Sequence, residues 1–247
     1  MARKRRRRSG GIPFGASTGG LLIAAAGVLL VVMSGPRLIG AVNATAGEPA
    51  IEKLKRGEEI GAPAIERARK AFATAARSIP RDYRAYRDLA LIEMVAARTL
   101  PPGSDEWKDA VNRAIGAGRM SLGNNPAQPY VWLRLAQAEL MQDGVGARSA
   151  LAFAMSLETG PQVIGLMQPR VILGLILWPV LDERQQDRVL AQIRGLARYN
   201  ARMLAETVLH RAALPLVQKA LANDPDLMRA FLDVYLQRRT PGYRPPL

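Results

Sequence analysis

The stretch ARKAFATAARSIPRDYRAYRDLA at residues 68–90 decides the fold, because its pattern returns 46 residues later as AIGAGRMSLGNNPAQPYVWLRLA at residues 114–136. The matching positions are Ala68 and Ala114, Phe72 and Gly118, Ala75 and Ser121, Pro80 and Pro126, Tyr86 and Trp132, Leu89 and Leu135, and Ala90 and Ala136. Small and large residues recur at separations of three and four, which is typical of packed helices, and each proline ends one helix before the next begins. The repeated unit is therefore a pair of packed helices.

This unit resembles the tetratricopeptide repeat, which carries Trp-x-x-Leu-Gly in a first helix and Ala-x-x-x-Phe-x-x-Ala, closed by proline, in a second. Residues 132–136 fit the first-helix pattern with alanine for glycine, and residues 86–90 fit it with tyrosine for tryptophan. A further second-helix pattern follows at Ala147, Leu151 and Ala154, with Pro161 two residues late. The resemblance implies a core between hairpins made of Phe72, Tyr86, Leu89, Trp132, Leu135 and Leu151.

The sequence departs from that family in its period and in two small residues. A standard unit has about 34 residues, so we assign the extra length to a Pro/Gly-containing loop at residues 99–108. Gly118 and Ser121 replace the expected large and small residues. The helix formers Ala, Leu, Arg and Glu are abundant, whereas β-branched and aromatic residues are too scattered to suggest a sheet. We therefore expect an all-α protein with a repeat region at residues 48–161.

The N-terminus predicts one membrane-spanning helix. No charged residue lies between residues 9 and 36, and GGLLIAAAGVLLVVM at residues 19–33 is apolar apart from its glycines. A spanning helix needs about 20 such residues. Six basic residues precede the segment and only Arg37 follows it closely, so the positive-inside rule assigns residues 1–15 to a cytoplasmic tail and 16–40 to the anchor. The rest of the chain is then expected in the periplasm of a bacterium, with the protein crossing the inner membrane once.

Two alternatives for the N-terminus stay open. Ala44-Thr45-Ala46 fits the small-x-small pattern of a signal-peptide cleavage site, although it lies well beyond the apolar core. The basic run is also of the kind that binds nucleic acid, but its place before an apolar span accounts for it more economically. Without those six residues, 29 basic residues face 21 acidic ones, and they are spread along helices, so nucleic-acid binding is not expected.

A second apolar stretch, VIGLMQPRVILGLILWPVL, occupies residues 163–181. Arg170, Pro169 and Pro179 interrupt it, and the clean run between the prolines is too short to cross a bilayer. We expect a buried core helix that begins at Pro169, with a second membrane crossing as the alternative.

The remaining chain, residues 162–239, predicts further helices. Residues 182–210 have the pattern of one long amphipathic helix capped by Asp182. Its apolar face is predicted to contain Val189, Ile193, Leu196, Leu204 and Val208. Arg194, Arg198 and Arg202 lie away from that face, so they form a candidate interaction surface. Asp224 and Pro225 predict the start of a last helix through Leu227, Phe231 and Tyr235, and the Pro-rich residues 240–247 are expected to be a flexible tail.

This combination resembles small membrane-anchored repeat proteins of bacterial exopolysaccharide synthesis and export clusters. The features that carry the resemblance are residues 132–140, residues 147–161, Arg170 and residues 177–181. The resemblance implies partners among envelope or inner-membrane proteins, with polysaccharide contact as an additional expectation.

The sequence offers few groups for catalysis. The chain has no cysteine and one histidine, His210, which excludes Cys-based and multi-histidine metal sites within one chain. Glu93 and Glu139 lie 46 residues apart on successive first helices, which suggests a carboxylate pair, although structural duplication explains the spacing better. No Gly-rich phosphate loop is present. We therefore expect a non-enzymatic scaffold without cofactor or metal, with a glycan-binding or glycan-modifying envelope enzyme as the alternative.

Overall fold

The computed structural model describes residues 14–209 and 213–239, and in these ranges every regular element is helical. The predicted all-α class is confirmed. The α-helices are α1 (Phe14–Thr45), α2 (Glu48–Lys55), α3 (Ala62–Ser78), α4 (Tyr83–Arg98), α5 (Asp105–Asn124), α6 (Pro129–Asp143), α7 (Ala147–Thr159), α8 (Ile164–Leu177), α9 (Glu183–Val208), α10 (Leu214–Leu221) and α11 (Pro225–Arg239). A 3₁₀ turn, Trp178–Val180, follows α8.

Helix α1 contains the apolar segment predicted to be an anchor. Its part Gly19–Thr45 has 27 residues and contains an 18-residue window with a mean hydropathy of 2.0, so it is long and apolar enough to cross a membrane. Its large apolar side chains, such as Leu21 at 74% and Val31 at 69%, are exposed. The helix extends past residue 40, the predicted end of the anchor, because its last turns pack against α3.

The helices from α3 onward pack as successive antiparallel hairpins, with α4 against α5, α6 against α7, and α8 against α9. This arrangement is consistent with the predicted helical repeats. Helix α5 has 20 residues and α7 has 13, so much of the extra length of the first repeat lies in a longer helix. The loop predicted at 99–108 is shorter than expected, because the hydroxyl of Ser104 accepts a hydrogen bond from the Trp107 amide and starts α5 at Asp105.

One hydrophobic core joins the later hairpins to the C-terminal helices. It extends from Met94 in α4 to Tyr235 in α11, so residues 162–239 do not form a separate unit. Gly174 is needed where α8 meets α9, because a Cβ there would lie 2.8 Å from a methyl of Val189. A smaller core, which includes Ile65 and Phe72, joins α2, α3 and α4.

Helix α8 is a core helix, as predicted, but its predicted start at Pro169 is wrong. The helix begins at Ile164 and continues through Pro169. Proline lacks the amide hydrogen that would bond to the Gly165 carbonyl, so α8 loses this hydrogen bond. The helix continues through Pro169 because it buries apolar residues on both sides of it. Helix α8 buries Leu166, Val171 and other apolar residues and has only 14 residues.

Helix α9 is not the single straight helix that the periodicity predicts. Asn200 has φ −163° and ψ 94°, which interrupts the helix. Its side-chain oxygen accepts a hydrogen bond of 2.9 Å from the Met203 amide, so Asn200 caps a second helical segment. All five residues predicted for its apolar face are buried. The predicted caps are present, since Asp182 accepts from the Gln185 amide and Asp224 from the Leu227 amide.

Candidate functional site

The predicted core residues do not share one environment. Phe72 is 2% exposed and Leu135 is 7% exposed. Tyr86, Leu89 and Trp132 are half-buried. Leu151 was predicted to be in the core, and this is wrong, since 64% of its surface is exposed.

The reason is a shift of register on α7. Its inward positions are Ala150, Phe153 and Leu157, which are spaced by three and four residues and are all buried. The alignment with Phe72 placed Leu151 on this face, but the only large aromatic residue of α7, Phe153, marks it correctly. Leu151 consequently faces outward.

Leu151 lines an open groove of about 420 Å³, here named the outer groove. Its lining residues are Arg119, Leu122, Gly123, Trp132, Leu135, Glu139, Arg148, Leu151 and Ala152. The indole of Trp132 is fixed in place, because its Nε1–H donates a hydrogen bond of 2.8 Å to the Pro126 carbonyl. The groove thus combines exposed apolar surface with charged groups at its edge, a composition found at protein contact sites.

Glu139, at the edge of the outer groove, is buried and paired with arginines of the two neighbouring helices. Its Oε1 accepts a hydrogen bond of 2.6 Å from Arg119 of α5, and its Oε2 lies 3.6 Å from Nε of Arg148 in α7. Only 3% of the carboxylate side chain is exposed. Glu139 therefore links three successive helices.

Glu93, the equivalent residue in α4, has the same kind of environment. Its two carboxylate oxygens lie 3.2 Å from Nε of Arg69 in α3 and 3.0 Å from Nε of Arg113 in α5. Burial raises the pKa of Glu93, and the charges of Arg69 and Arg113 oppose this rise. Both glutamates connect neighbouring helices, which favours a structural role over acid–base chemistry.

A second groove, of about 610 Å³, lies between α4 and α6 and is named here the Arg134 groove. Its lining residues are Ile51, Lys55, Tyr83, Arg87, Asp88, Leu91, Asn125, Ala127, Gln128, Pro129, Tyr130 and Arg134. Arg87 holds Asp88 through bonds of 2.8 and 3.0 Å. Arg134 is half-buried and, within residues 14–209 and 213–239, forms no ion pair within 4 Å. Burial lowers the pKa of Arg134, while nearby Asp88 opposes the shift.

The three arginines of the predicted interaction surface are engaged within the protein. Arg194 is half-buried rather than exposed, and it donates to the Ala220 carbonyl near the C-terminal end of α10. Arg198 lies 3.5 Å from Asp224, and Arg202 lies 3.1 Å from Glu206. Arg194 and Arg198 therefore connect α9 to the following helices, and the three do not form one free basic surface.

Arg170 has a role that the sequence pattern did not reveal. It is fully buried, and its guanidinium donates to the Ser156 hydroxyl at 3.1 Å, to the Ser156 carbonyl and to the Gly160 carbonyl at 2.8 Å. Burial lowers the pKa of Arg170 to about 10. These acceptors lie at the C-terminal end of α7, where a cation is favoured by unpaired carbonyls and the helix dipole. In the sequence, the only indication of this buried role is that Arg170 lies inside an apolar run.

His210, the other residue considered for catalysis, lies outside the described residues. In the part of the chain that the structure describes, no three acidic or histidine side chains come together as metal ligands. A comparison with protein-family models finds no matching family, and a comparison with curated proteins finds no match. The argument for function therefore depends on the surfaces described above.

Proposed function

We propose that this protein is a membrane-anchored adaptor without catalytic activity, which holds envelope proteins at the outer face of a bacterial inner membrane. Its N-terminal tail is cytoplasmic, α1 crosses the membrane once, and the helical domain is periplasmic. The positive-inside bias of the N-terminus supports this orientation. The resemblance to proteins of exopolysaccharide clusters supports a role in polysaccharide assembly.

The observation that carries the proposal is Leu151, which is 64% exposed beside Trp132 in the outer groove. The exposed leucine and the neighbouring Trp132 form apolar surface that this chain leaves uncovered, and tryptophan is among the residues that contribute most to binding at protein interfaces. The charged residues at the groove edge are already paired, so a partner meets little unpaired charge there. Helix α1 adds the second property of an adaptor, a fixed place at the membrane.

A pull-down from detergent-solubilised membranes tests this proposal. The full chain should retain partner proteins that a Leu151→Gln variant loses, because glutamine weakens apolar contact without filling or emptying the core. Ile176→Gln is the matched control, since Ile176 is also exposed but does not line the outer groove. Equal recovery of every protein by the Leu151 variant and the wild type would contradict the role of the outer groove.

A topology reporter tests the orientation. A reporter that is active only outside the cytoplasm, fused after Leu247, should be active, and replacing residues 3–8 with neutral residues should weaken this orientation. Silence of a well-expressed fusion would refute the periplasmic placement.

The Arg134 groove favours a second candidate function, the binding of an acidic glycan. Arg134 has five N–H donors and no ion pair in the described chain, and Tyr83 and Tyr130 line the same groove. A carboxylate of a sugar fits such a guanidinium in a bidentate manner. Calorimetric titration with an acidic oligosaccharide should give binding that Arg134→Gln abolishes, and heat equal to that of buffer alone would remove this candidate.

A further inference from the structure

The end of α1 packs against α3 in a defined direction. A Cβ at Gly40 would lie 2.8 Å from Cδ1 of Ile79, and a Cβ at Gly47 would lie 2.6 Å from the ring of Phe72. As the chain advances from residue 40 to 47, its contacts on α3 move back from residue 79 to 72. The C-terminal end of α3 is therefore the end nearest the apolar segment of α1.

The distance along α1 from the end of its uncharged segment to Gly40 places this end of α3 at the membrane surface. Arg37 is the first charged residue after the uncharged segment that ends at residue 36, so it marks the outer end of the span. Gly40 follows three residues later, about 4.5 Å along the helix axis. The headgroup layer on each side of the hydrocarbon is about 5–7 Å thick. Ile79, which touches Gly40, thus lies at the level of the lipid headgroups.

Four arginines surround this junction, and we name them the basic collar: Arg37, Arg77, Arg81 and Arg84. All four are exposed. Among the described residues none of them forms an ion pair with a carboxylate within 4 Å. Arg77 donates to the Thr74 hydroxyl, and Arg84 lies over the ring of Tyr83 at 5.7 Å.

The acidic residues around α3 are confined to its N-terminal end, where Glu66 pairs with Arg69 and Lys70. No acidic residue occurs from residue 67 to residue 81. Glu58 and Glu59 precede α3 and Glu66 lies in its first turns, at the end far from α1's apolar segment. Asp82 lies between Arg81 and Arg84 in the chain, and its carboxylate accepts a hydrogen bond from the backbone amide of Arg84 at the start of α4. The end of the domain next to the membrane is therefore strongly basic.

We propose that the basic collar binds the headgroups of anionic phospholipids in the membrane that α1 crosses. The inference depends on the proposed membrane crossing of α1. Guanidinium groups pair well with phosphate oxygens, and an anionic bilayer surface attracts basic residues within a Debye length. Since Gly40 and Gly47 pack directly on α3, no loose linker separates the span from the domain, and the collar sets the tilt of the domain on the membrane.

A fluorescent label on the full chain tests the collar, and the absence of native cysteine makes a single label unambiguous. Gly123→Cys suits the purpose, since a Cβ there meets no atom within 4 Å. The neighbouring Asn124 donates to the Pro80 carbonyl at 3.3 Å, which places the label beside the collar. The chain is reconstituted into lipid nanodiscs of phosphatidylcholine alone or mixed with phosphatidylglycerol. A quencher on the lipid headgroup reports how closely the label approaches.

Quenching in the mixed discs should exceed that in phosphatidylcholine discs by about twofold or more, and high salt should remove the difference because it shortens the Debye length. Combined Arg77→Gln, Arg81→Gln and Arg84→Gln should also remove it, whereas the three Arg→Lys changes should keep it. The control set is Arg98→Gln, Lys108→Gln and Lys219→Gln, which are exposed and outside the collar. This control should keep the difference.

Equal quenching in the two kinds of disc, or a glutamine variant that behaves like the wild type, would overturn the proposal for the collar. The fraction of the chain that incorporates into phosphatidylcholine discs is measured in the same samples. This fraction tests whether α1 crosses the membrane. A chain that fails to enter those discs contradicts the crossing and the collar together. A chain that enters them without any dependence on lipid charge contradicts the collar alone.

Discussion

The repeated hairpins and the C-terminal region differ in how they accommodate buried charge. In α4 to α7, each buried charge is a glutamate held between arginines of two neighbouring helices. At the junction of α7 and α8, the buried charge is Arg170, which is held by a hydroxyl and two carbonyls. The carboxylates repeat with the 46-residue period, so they belong to the repeat, whereas Arg170 closes the last turn of α7 where the repeat ends.

The largest expected effect is at Arg170. Arg170→Ala should lower the free energy of unfolding by about 3–5 kcal/mol, because it leaves a cavity and several buried acceptors without a donor. Chemical denaturation of the full chain in detergent measures this. Arg202→Ala is the control, since Arg202 is 67% exposed, and its effect should stay within about 0.5 kcal/mol. Equal stabilities for the two variants would show that the C-terminal end of α7 does not depend on Arg170.

Within the repeat, the stability lost on replacing Glu93 can be compared with the stability lost on replacing Glu139. Glu93→Ala should cost about 2 kcal/mol and Glu139→Ala about 1 kcal/mol, because removing a carboxylate costs more when its partners remain desolvated. Arg69, a partner of Glu93, is 30% exposed, while both partners of Glu139 are more than half exposed. Denaturation under identical conditions gives the order, and a larger loss for Glu139→Ala would contradict the explanation from solvent access.

Substitutions of the α9 arginines should reduce stability more at the half-buried Arg194 than at the exposed Arg202. Arg194→Glu should destabilise the chain by about 1–2 kcal/mol, because it removes the donor to the Ala220 carbonyl and places a carboxylate beside carbonyl groups. Arg202→Glu should change stability by about 0.5 kcal/mol or less. Thermal unfolding followed by circular dichroism compares them. Equal effects would mean that α9 and α10 do not depend on this contact.

A smaller effect is expected on the pH dependence of stability, through the titration of Glu93. The pKa of Glu93 is raised in the folded chain, so the favourable contribution of its protonated form is complete below the unfolded pKa and is lost as pH rises through the folded pKa. Relative to Glu93→Gln, the wild type should therefore lose stability as pH rises from about 4 to 7. Parallel denaturation curves at several pH values measure this difference. A difference that grows in favour of the wild type with rising pH would contradict the direction of the shift.

The sequence predicted the helices well wherever the apolar period and the caps agreed, as at Asp182 and Asp224. It failed at two local features. Asn200 caps a new segment inside α9, and Pro169 does not start α8, because the helix buries apolar residues on both sides of it. The alignment with the first repeat misplaced Leu151, although the spacing of Ala150, Phe153 and Leu157 marks the buried face of α7. The outer groove itself could not be predicted, because it depends on how α5, α6 and α7 pack against one another. The pairing of Glu93 with Arg113 likewise depends on contacts between separate helices.

The most direct test of the adaptor is photocrosslinking from the outer groove in intact cells. The full chain carries a photoreactive amino acid at position 151 or, as the control, at exposed Ile176 outside the groove. Irradiation should give a discrete crosslinked species from position 151, its partner should be an envelope protein, and position 176 should not give the same species. An absence of crosslinks from position 151 in cells where the chain is membrane-bound and active would contradict the proposed role of the outer groove.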